Sequence, residues 1–376
     1  MMDFDFANWW LILRRIAGEP FRWKRKLFLY GVFLALSVFS AASGLGLALD
    51  RILYPGFRKV RVASPVFIVG NGRSGTTHMH RLLAGDANRF SWFRTWEMLL
   101  PSIVQRRLVH GLAALDRRLL GGRIARRLQS TEDAVFADVR GKHNWRLDGP
   151  EEDDFLLFNN WSSGSLVFPF DYAELIEQLY GDRQSEAAQR RQFRFYRGLV
   201  QRQLYLYGRE RIHCCKSPSF TMKIRVLRAY FPDARFVMMM RHPAESIPSL
   251  VDLMSWYWRG FGSPPEQVEA AARALAEANV DNYRFMAELA DELPADRCAV
   301  VDYRALCRDP KAAVEAVYAR FGFGVDPEYA AFLEREREAA ASFVSGHDYD
   351  PEGQGPGRAR LHRELAPLYA RFGWEP

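Results

Sequence analysis

Cysteine is scarce in this 376-residue chain, with four residues at positions 214, 215, 298 and 307. No Cys-x-x-Cys pair occurs, so neither a dithiol redox centre nor a cysteine zinc site is available, and the thiols are expected to be reduced and buried, as in a cytosolic protein. No internal repeat is visible, which excludes a solenoid. Basic stretches interleaved with aromatic stacking residues are also missing, which argues against RNA recognition and a nucleic-acid partner.

A further absence lies in the glycine-rich segment Gly70-Asn71-Gly72-Arg73-Ser74-Gly75-Thr76-Thr77. A nucleotide triphosphatase loop reads GxxxxGK[ST]; here Thr76 stands in place of the lysine, and a cation sits earlier, at Arg73. That shift disfavours Mg-dependent phosphoryl transfer, where the lysine neutralises the moving group. The loop follows a predicted strand, Val66–Val69, and opens a predicted helix at about 76–83. In that setting glycines let the backbone curl around an anion, and the first helical N–H groups supply positive potential.

The remaining composition is that of a globular chain: 48% hydrophobic, 14% aromatic and 26% charged, with a formal charge of +7. The positive balance suits an anionic partner, although abundant arginine equally follows from a GC-rich genome. From Pro65 onward, short apolar runs at 66–69, 212–215, 236–239 and 299–301 alternate with helical stretches near 187–207, 219–230, 244–257, 265–293 and 310–321. Runs without polar alternation fit strands buried on both faces, so the expected fold is α/β: a P-loop-type doubly wound parallel sheet flanked by helices. Pro351–Gly357 reads as a loop before a short C-terminal helix.

Residues 1–60 form a basic and aromatic segment around a hydrophobic helix at about 27–49, ahead of an α/β domain at 61–376. Leu27–Leu49 carries no charge and is long enough to cross a bilayer. Arg22, Lys24, Arg25 and Lys26 precede it, Asp50 and Arg51 follow it, and Trp9, Trp10 and Trp23 suit a membrane interface, so membrane contact is expected. The stretch before it is too long for the n-region of a cleaved signal peptide. Basic residues on both sides leave the topology open among span, hairpin and in-plane anchor.

Two further strand ends carry cations. Lys216 closes Cys214-Cys215-Lys216-Ser217-Pro218, and Arg241 closes Phe236–Met240 ahead of Pro243, with Ser249 eight residues beyond it on the next helix. Functional groups of open α/β sheets collect at strand C-termini, so Arg241 and Ser249 can converge on one set of phosphate oxygens.

Together the loop GNGRSGTT, the segment CCKSPSFT followed by FPDARFVMMMRHPAESIPS, and VDYRALCRDP resemble the sulfotransferase superfamily, most closely its bacterial and tyrosylprotein-sulfotransferase-like branch. The resemblance covers most of residues 65–310. It implies a PAPS-dependent transferase, whose donor is 3'-phosphoadenosine 5'-phosphosulfate, working without a metal on a hydroxylated acceptor: a small molecule, or a lipid if the 27–49 segment anchors the enzyme at a membrane. Carried over, Arg73, Ser74, Gly75, Thr76 and Thr77 hold the 5' end of the donor, and Arg241 with Ser249 hold its 3'-phosphate. Arg73 and Lys216 are the cations for the departing oxygen. The branch places its catalytic glutamate shortly after the loop helix, which points to Glu97, twenty-four residues beyond Arg73 and slightly further than usual. Other bases to weigh are His78, His80, His143 and the acidic run Glu151–Asp154, which reads as a solvated helix start or as a lining of the acceptor entrance. A cytosolic donor requires a catalytic domain facing the cytoplasm. The competing functions are a P-loop kinase or nucleotidase and a non-catalytic nucleotide-binding module.

Overall fold

The computed structural model describes residues 3–20, 22–135, 146–341 and 356–375. Its centre is a five-stranded sheet of β1 (Val66–Gly70), β2 (Phe90–Ser91), β3 (Ile212–Lys216), β4 (Arg235–Met240) and β5 (Cys298–Asp302) in the order β2-β3-β1-β4-β5. Every pairing is parallel. The helices are α1 (Phe6–Gly18), α2 (Trp23–Leu53), α3 (Thr76–Ala84), α4 (Thr95–Leu99), α5 (Ile103–Leu120), α6 (Arg123–Val135), α7 (Glu186–Tyr207) and α8 (Ile224–Tyr230). After them come α9 (Pro243–Gly260), α10 (Pro265–Glu292), α11 (Tyr303–Arg308), α12 (Pro310–Phe321), α13 (Pro327–Ala341), α14 (Arg358–Glu364) and α15 (Ala366–Phe372).

Strand side chains alternate between two buried layers, which is why the apolar runs lack polar punctuation. Phe67, Val69, Cys215, Phe236 and Met238 face one layer with Phe193, Tyr196 and Leu199 of α7. Val66, Ile68, Cys214, Val237 and Met239 face the other, against Met79 and Leu83 of α3 and Val317 of α12. The chain winds from β1 outward to β2, returns to β3, and crosses β1 to reach β4. That reversal puts a crevice at the C-terminal ends of β1, β3 and β4, the usual place for a ligand in such sheets.

The predicted strands and principal helices are present, with three physical differences. β2 is two residues long and too short to leave a periodic signal. The stretch 219–230 begins as a 3-10 turn, Pro218–Lys223, and becomes α-helical only at α8. Residues 151–154 are not solvated: Glu151, Asp153 and Asp154 are buried, because each carboxylate meets a donor from another element. The expectation of four buried thiols is likewise corrected at Cys307, which is exposed on α11. His143 and all of the Pro351–Gly357 loop except Pro356 and Gly357 lie outside the described residues.

The uncharged stretch lies within α2, which is long and apolar enough to cross a membrane by length and composition. One stripe of this helix packs inward, with Leu29 and Phe33 joining Ile12 and Ile16 of α1 in a core shared with α9 and α10. Its C-terminal end is tied by Asp50. That fully buried carboxylate accepts the N–H groups of Ile103 at 2.9 Å and Val104 at 3.0 Å, capping α5, and pairs with Arg202 of α7 at 2.7 Å.

Removing Asp50 would orphan two helix amides and a buried guanidinium together. Asp50→Ala is therefore expected to lower unfolding free energy by about 3–5 kcal/mol. Asp50→Ala combined with Arg202→Met should regain part of that loss, as measured by urea midpoints at constant slope.

Candidate active site

The loop between β1 and α3 departs from ordinary backbone at three places: φ is +144° at Gly70, +67° at Arg73 and +88° at Gly75. At Gly75 a side chain would be strained and would strike the Tyr303 ring, whose nearest carbon lies 2.6 Å from the added Cβ position. Ser74 donates to the Asn71 carbonyl at 2.6 Å, and Thr221 accepts the Gly70 N–H at 2.9 Å. The Asn71 side chain is held by α10, donating to the Asn279 carbonyl at 3.1 Å and accepting from Asn282. Gly75 gives α3 no side-chain cap, so the first-turn amides of Thr76, Thr77 and His78 are left for an anion.

Arg73, Arg241 and Ser249 meet at this loop. The Arg241 guanidinium donates to the Arg73 carbonyl at 2.8 Å, and Arg73 Nε donates to Ser249 Oγ at 3.2 Å. Holding the Arg73 carbonyl steadies a residue whose positive φ is unfavourable for any side chain with a Cβ. Arg241 also lies 4.4 Å from the Tyr303 ring centroid and pairs with Glu245 at 3.0 Å. Glu245 is shared with Arg304; burial works against its charge, but Arg241 and then Arg304 hold its pKa below the usual carboxylate value. Arrival of a phosphate would let Arg241 exchange a carboxylate for a more highly charged partner.

Lys216 ends β3 beside β1, opposite Ile68, and is fully buried. Burial alone would favour the neutral amine, but Glu152 at 2.8 Å and Glu151 at 3.4 Å outweigh it and raise its pKa, so the ammonium persists. The rest of the acidic run is spent differently. Asp153 accepts from Tyr196 at 2.6 Å and lies 2.8 Å from His213 of β3; Asp154 accepts from Ser163 and from the Ser165 N–H. Sequence reasoning weighed this run only as a group. That three of its four carboxylates are buried could have been suspected from the Phe155-Leu156-Leu157-Phe158 stretch that follows it.

Glu97 does not join this cluster. On α4, Thr95, Met98 and Leu99 share one face and line a cavity, while Glu97 points from the opposite face. It is fully buried, accepting the Arg94 N–H at 2.8 Å and the Tyr207 hydroxyl at 2.5 Å. The histidines on α3 suit packing. His80 is fully buried, and burial followed by the Lys216 charge lowers its pKa to about 3. His78 is lowered too, by burial and then Arg81.

A cavity of about 630 Å³ leads away from the loop. Gly72 of the loop and Glu152 both line it, together with Phe155, Phe158, Leu250, Met254 and Tyr257, and Leu36 and Phe39 of α2 contribute to its wall. Burial raises the Tyr257 pKa while the charge of Arg73 opposes it. The volume lies within the range of small-molecule sites, and the predominance of apolar walls selects a ligand with a hydrophobic body. Among the described residues no group of His, Cys, Asp or Glu side chains is gathered as a metal ion would need.

Burial of a neutral His80 makes stability depend on pH. The folded state refuses a proton that the unfolded chain accepts below about pH 6.5, so stability should fall as pH drops from there toward 3. The slope is at most about 1.4 kcal/mol per pH unit. His80→Leu should flatten that acid limb in urea titrations between pH 4 and 7 without lowering stability at pH 7.

A model of the sulfotransferase family matches residues 65–327, well over half of the chain, which therefore belongs to the sulfotransferase family. The omega-hydroxy-beta-dihydromenaquinone-9 sulfotransferases Stf3 of Mycobacterium tuberculosis and Mycobacterium bovis are each 25% identical to it, over 99% of this chain and 90% of their own. Sulfotransferase STF9 from Mycobacterium avium has the same fold, with a TM-score of 0.76 at 18% identity over 99% of this chain and 93% of that one. Sulfotransferase STF1 from Mycobacterium tuberculosis follows, with a TM-score of 0.66 at 20% identity, covering 96% and 92%.

Proposed function

We propose that this member of the sulfotransferase family binds 3'-phosphoadenosine 5'-phosphosulfate at the β1–α3 loop and transfers its sulfuryl group to the hydroxyl of a lipid-like alcohol. The observation that carries this reading is the largely apolar cavity lined by both Gly72 of the loop and Glu152, the partner of Lys216. The Mycobacterium relatives named for a menaquinone derivative support a hydrophobic acceptor.

The loop amides and the start of α3 bind the 5' end of the donor, with Arg73, Ser74, Gly75, Thr76 and Thr77 shaping the cradle. Arg241 and Ser249, already joined through Arg73, bind the 3'-phosphate. As the acceptor oxygen bonds to sulfur, the bond from sulfur to the 5'-phosphate oxygen breaks and negative charge collects on that oxygen. Arg73 and Lys216 balance the charge. The acceptor proton must leave in the same event, and we assign its removal to Glu152 rather than Glu97. Glu152 lines the cavity and touches Lys216, whereas both Glu97 oxygens serve the α4 turn and Tyr207. When Lys216 turns to the departing oxygen, it releases Glu152 to accept the proton. No step calls for a metal, which separates this reading from a P-loop kinase or nucleotidase.

Glu152→Gln is expected to lower kcat by roughly 10²–10⁴, with donor binding changed by less than about threefold. Glu97→Gln should act mainly on thermal stability. If Glu97→Gln removed turnover and Glu152→Gln did not, the base would be Glu97. Sulfate transfer should persist undiminished in EDTA, and a requirement for Mg would overturn the assignment of reaction class.

A further inference from the structure

The apolar helix α2 is anchored at both ends to the same folded body. Near its N-terminus, Arg25 is 4% exposed and donates to Glu19 at 2.7 Å, to Asp171 at 2.8 Å and to Ser263 at 2.8 Å. At the other end Asp50 is bound by Arg202 and by the amides that begin α5. At 1.5 Å per residue these two anchors stand about 38 Å apart along the axis, more than the ~30 Å of a bilayer's hydrocarbon. A helix crossing the membrane would have to leave one anchor on each side, with the catalytic body between them. Span is therefore incompatible with these ion pairs.

The outward face of α2 is nevertheless apolar: Leu27, Leu34, Val38, Leu45 and Ile52 are exposed. The patch continues onto α5, which meets α2 closely at Gly46, where an added Cβ would lie 2.5 Å from Ser102 Oγ. Leu108, Leu112, Leu115 and Leu119 of α5 follow one another at three- and four-residue steps and are all exposed, as are Ile124 and Leu128 of α6. Contiguous apolar surface of this kind marks an interaction site. Its charge is mostly basic. Along α5 and α6, Arg107, Arg117, Arg118, Arg123, Arg126 and Arg127 are exposed, whereas Asp116 is buried capping α6, Glu132 accepts the Leu147 N–H, and Asp133 is exposed near the end of α6. The cavity opens here as well: Phe39 of α2 and Leu99 of α4 both line it and are exposed, and Ser43 of α2 donates to the Leu99 carbonyl.

We propose that α2, α5 and α6 form a platform that lies flat in one leaflet of an anionic membrane and opens the acceptor cavity directly into that leaflet. Leucines enter the acyl boundary and arginines meet lipid phosphates, the composition expected of an in-plane amphipathic surface. The acceptor then passes from leaflet to Glu152 without crossing water. This entry route rests on the proposed lipid acceptor, whereas the docking itself does not.

The test compares the full chain with Leu112→Asp/Leu119→Asp, two exposed positions outside the cavity and its machinery. The wild type should co-sediment with vesicles of phosphatidylcholine and phosphatidylglycerol and bind pure phosphatidylcholine at least tenfold more weakly. The double variant should lose at least tenfold in binding to the anionic vesicles. It should keep wild-type sulfate transfer to a long-chain alcohol dispersed in detergent and lose transfer to the same alcohol embedded in vesicles. Undiminished vesicle binding by the variant would overturn the proposal, as would a wild type that ignores vesicles. Sedimentation velocity showing a wild-type dimer that the variant dissociates would assign the face to a second copy of the chain. Vesicle binding without any transfer in detergent would instead refute the catalytic reading and leave the docking surface standing.

Discussion

A lysine with no exposed surface stays charged only if carboxylates come to it, and Lys216 obtains two from a segment far away in sequence. This pairing determines much of the site. It draws residues 151 and 152 across the end of β3, so that the turn Asp153–Asn160 and its phenylalanines become cavity wall rather than surface. It also brings a carboxylate, Glu152, into the lining of an apolar chamber that includes Gly72 of the phosphate loop. A buried ion pair contributes little net stability, because desolvation offsets the attraction. Its value here is positional: it keeps a cation and a carboxylate together at one place, and a charged ligand can separate them.

The same economy governs the other cations. Arg241 is held by Glu245 and by the Arg73 carbonyl, and Arg73 by Ser249, so the groups offered to a donor are fixed before it arrives. Preorganised charge avoids the reorganisation that flexible side chains would require during reaction. The loop backbone follows this logic too. Asn71 is gripped by α10 and Gly70 by Thr221, and the positive φ values of Arg73 and Gly75 leave the α3 amides facing outward.

What could be read from the sequence follows from how local each signal is. The sheet was legible because β1, β3, β4 and β5 are continuous apolar runs that end in turn or cation signals. The loop was legible because glycine spacing is a backbone property. Arg241 and Ser249 were paired by an eight-residue helical offset, and the structure joins both to Arg73. The two candidate bases were harder to tell apart. Glu97 and Glu152 differ in which helix face they occupy and which donor they meet, and neither property lies in neighbouring residues. The Tyr207 that binds Glu97 and the Lys216 that binds Glu152 both come from more than sixty positions away. The buried state of Asp153 was hidden for the same reason, since its partners Tyr196 and His213 lie on α7 and β3.

The hydrophobic helix shows the limit of composition as an argument about membranes. Hydropathy over Leu27–Leu49 measures the cost of leaving those side chains in water, and that cost is met equally by a span, a buried helix or a surface helix beneath a leaflet. Charged flanks normally help to choose, because a span keeps them at opposite interfaces. Here two of those flanking charges are taken up: Arg25 and Asp50, which would mark the two ends of a span, are buried and tied to the folded body, while Arg22, Lys24 and Arg51 stay exposed. Exposed arginines then remain on α5 and α6, beside the leucines rather than beyond them. Such an arrangement places basic and apolar groups at one depth, and a single membrane interface is the environment that satisfies both.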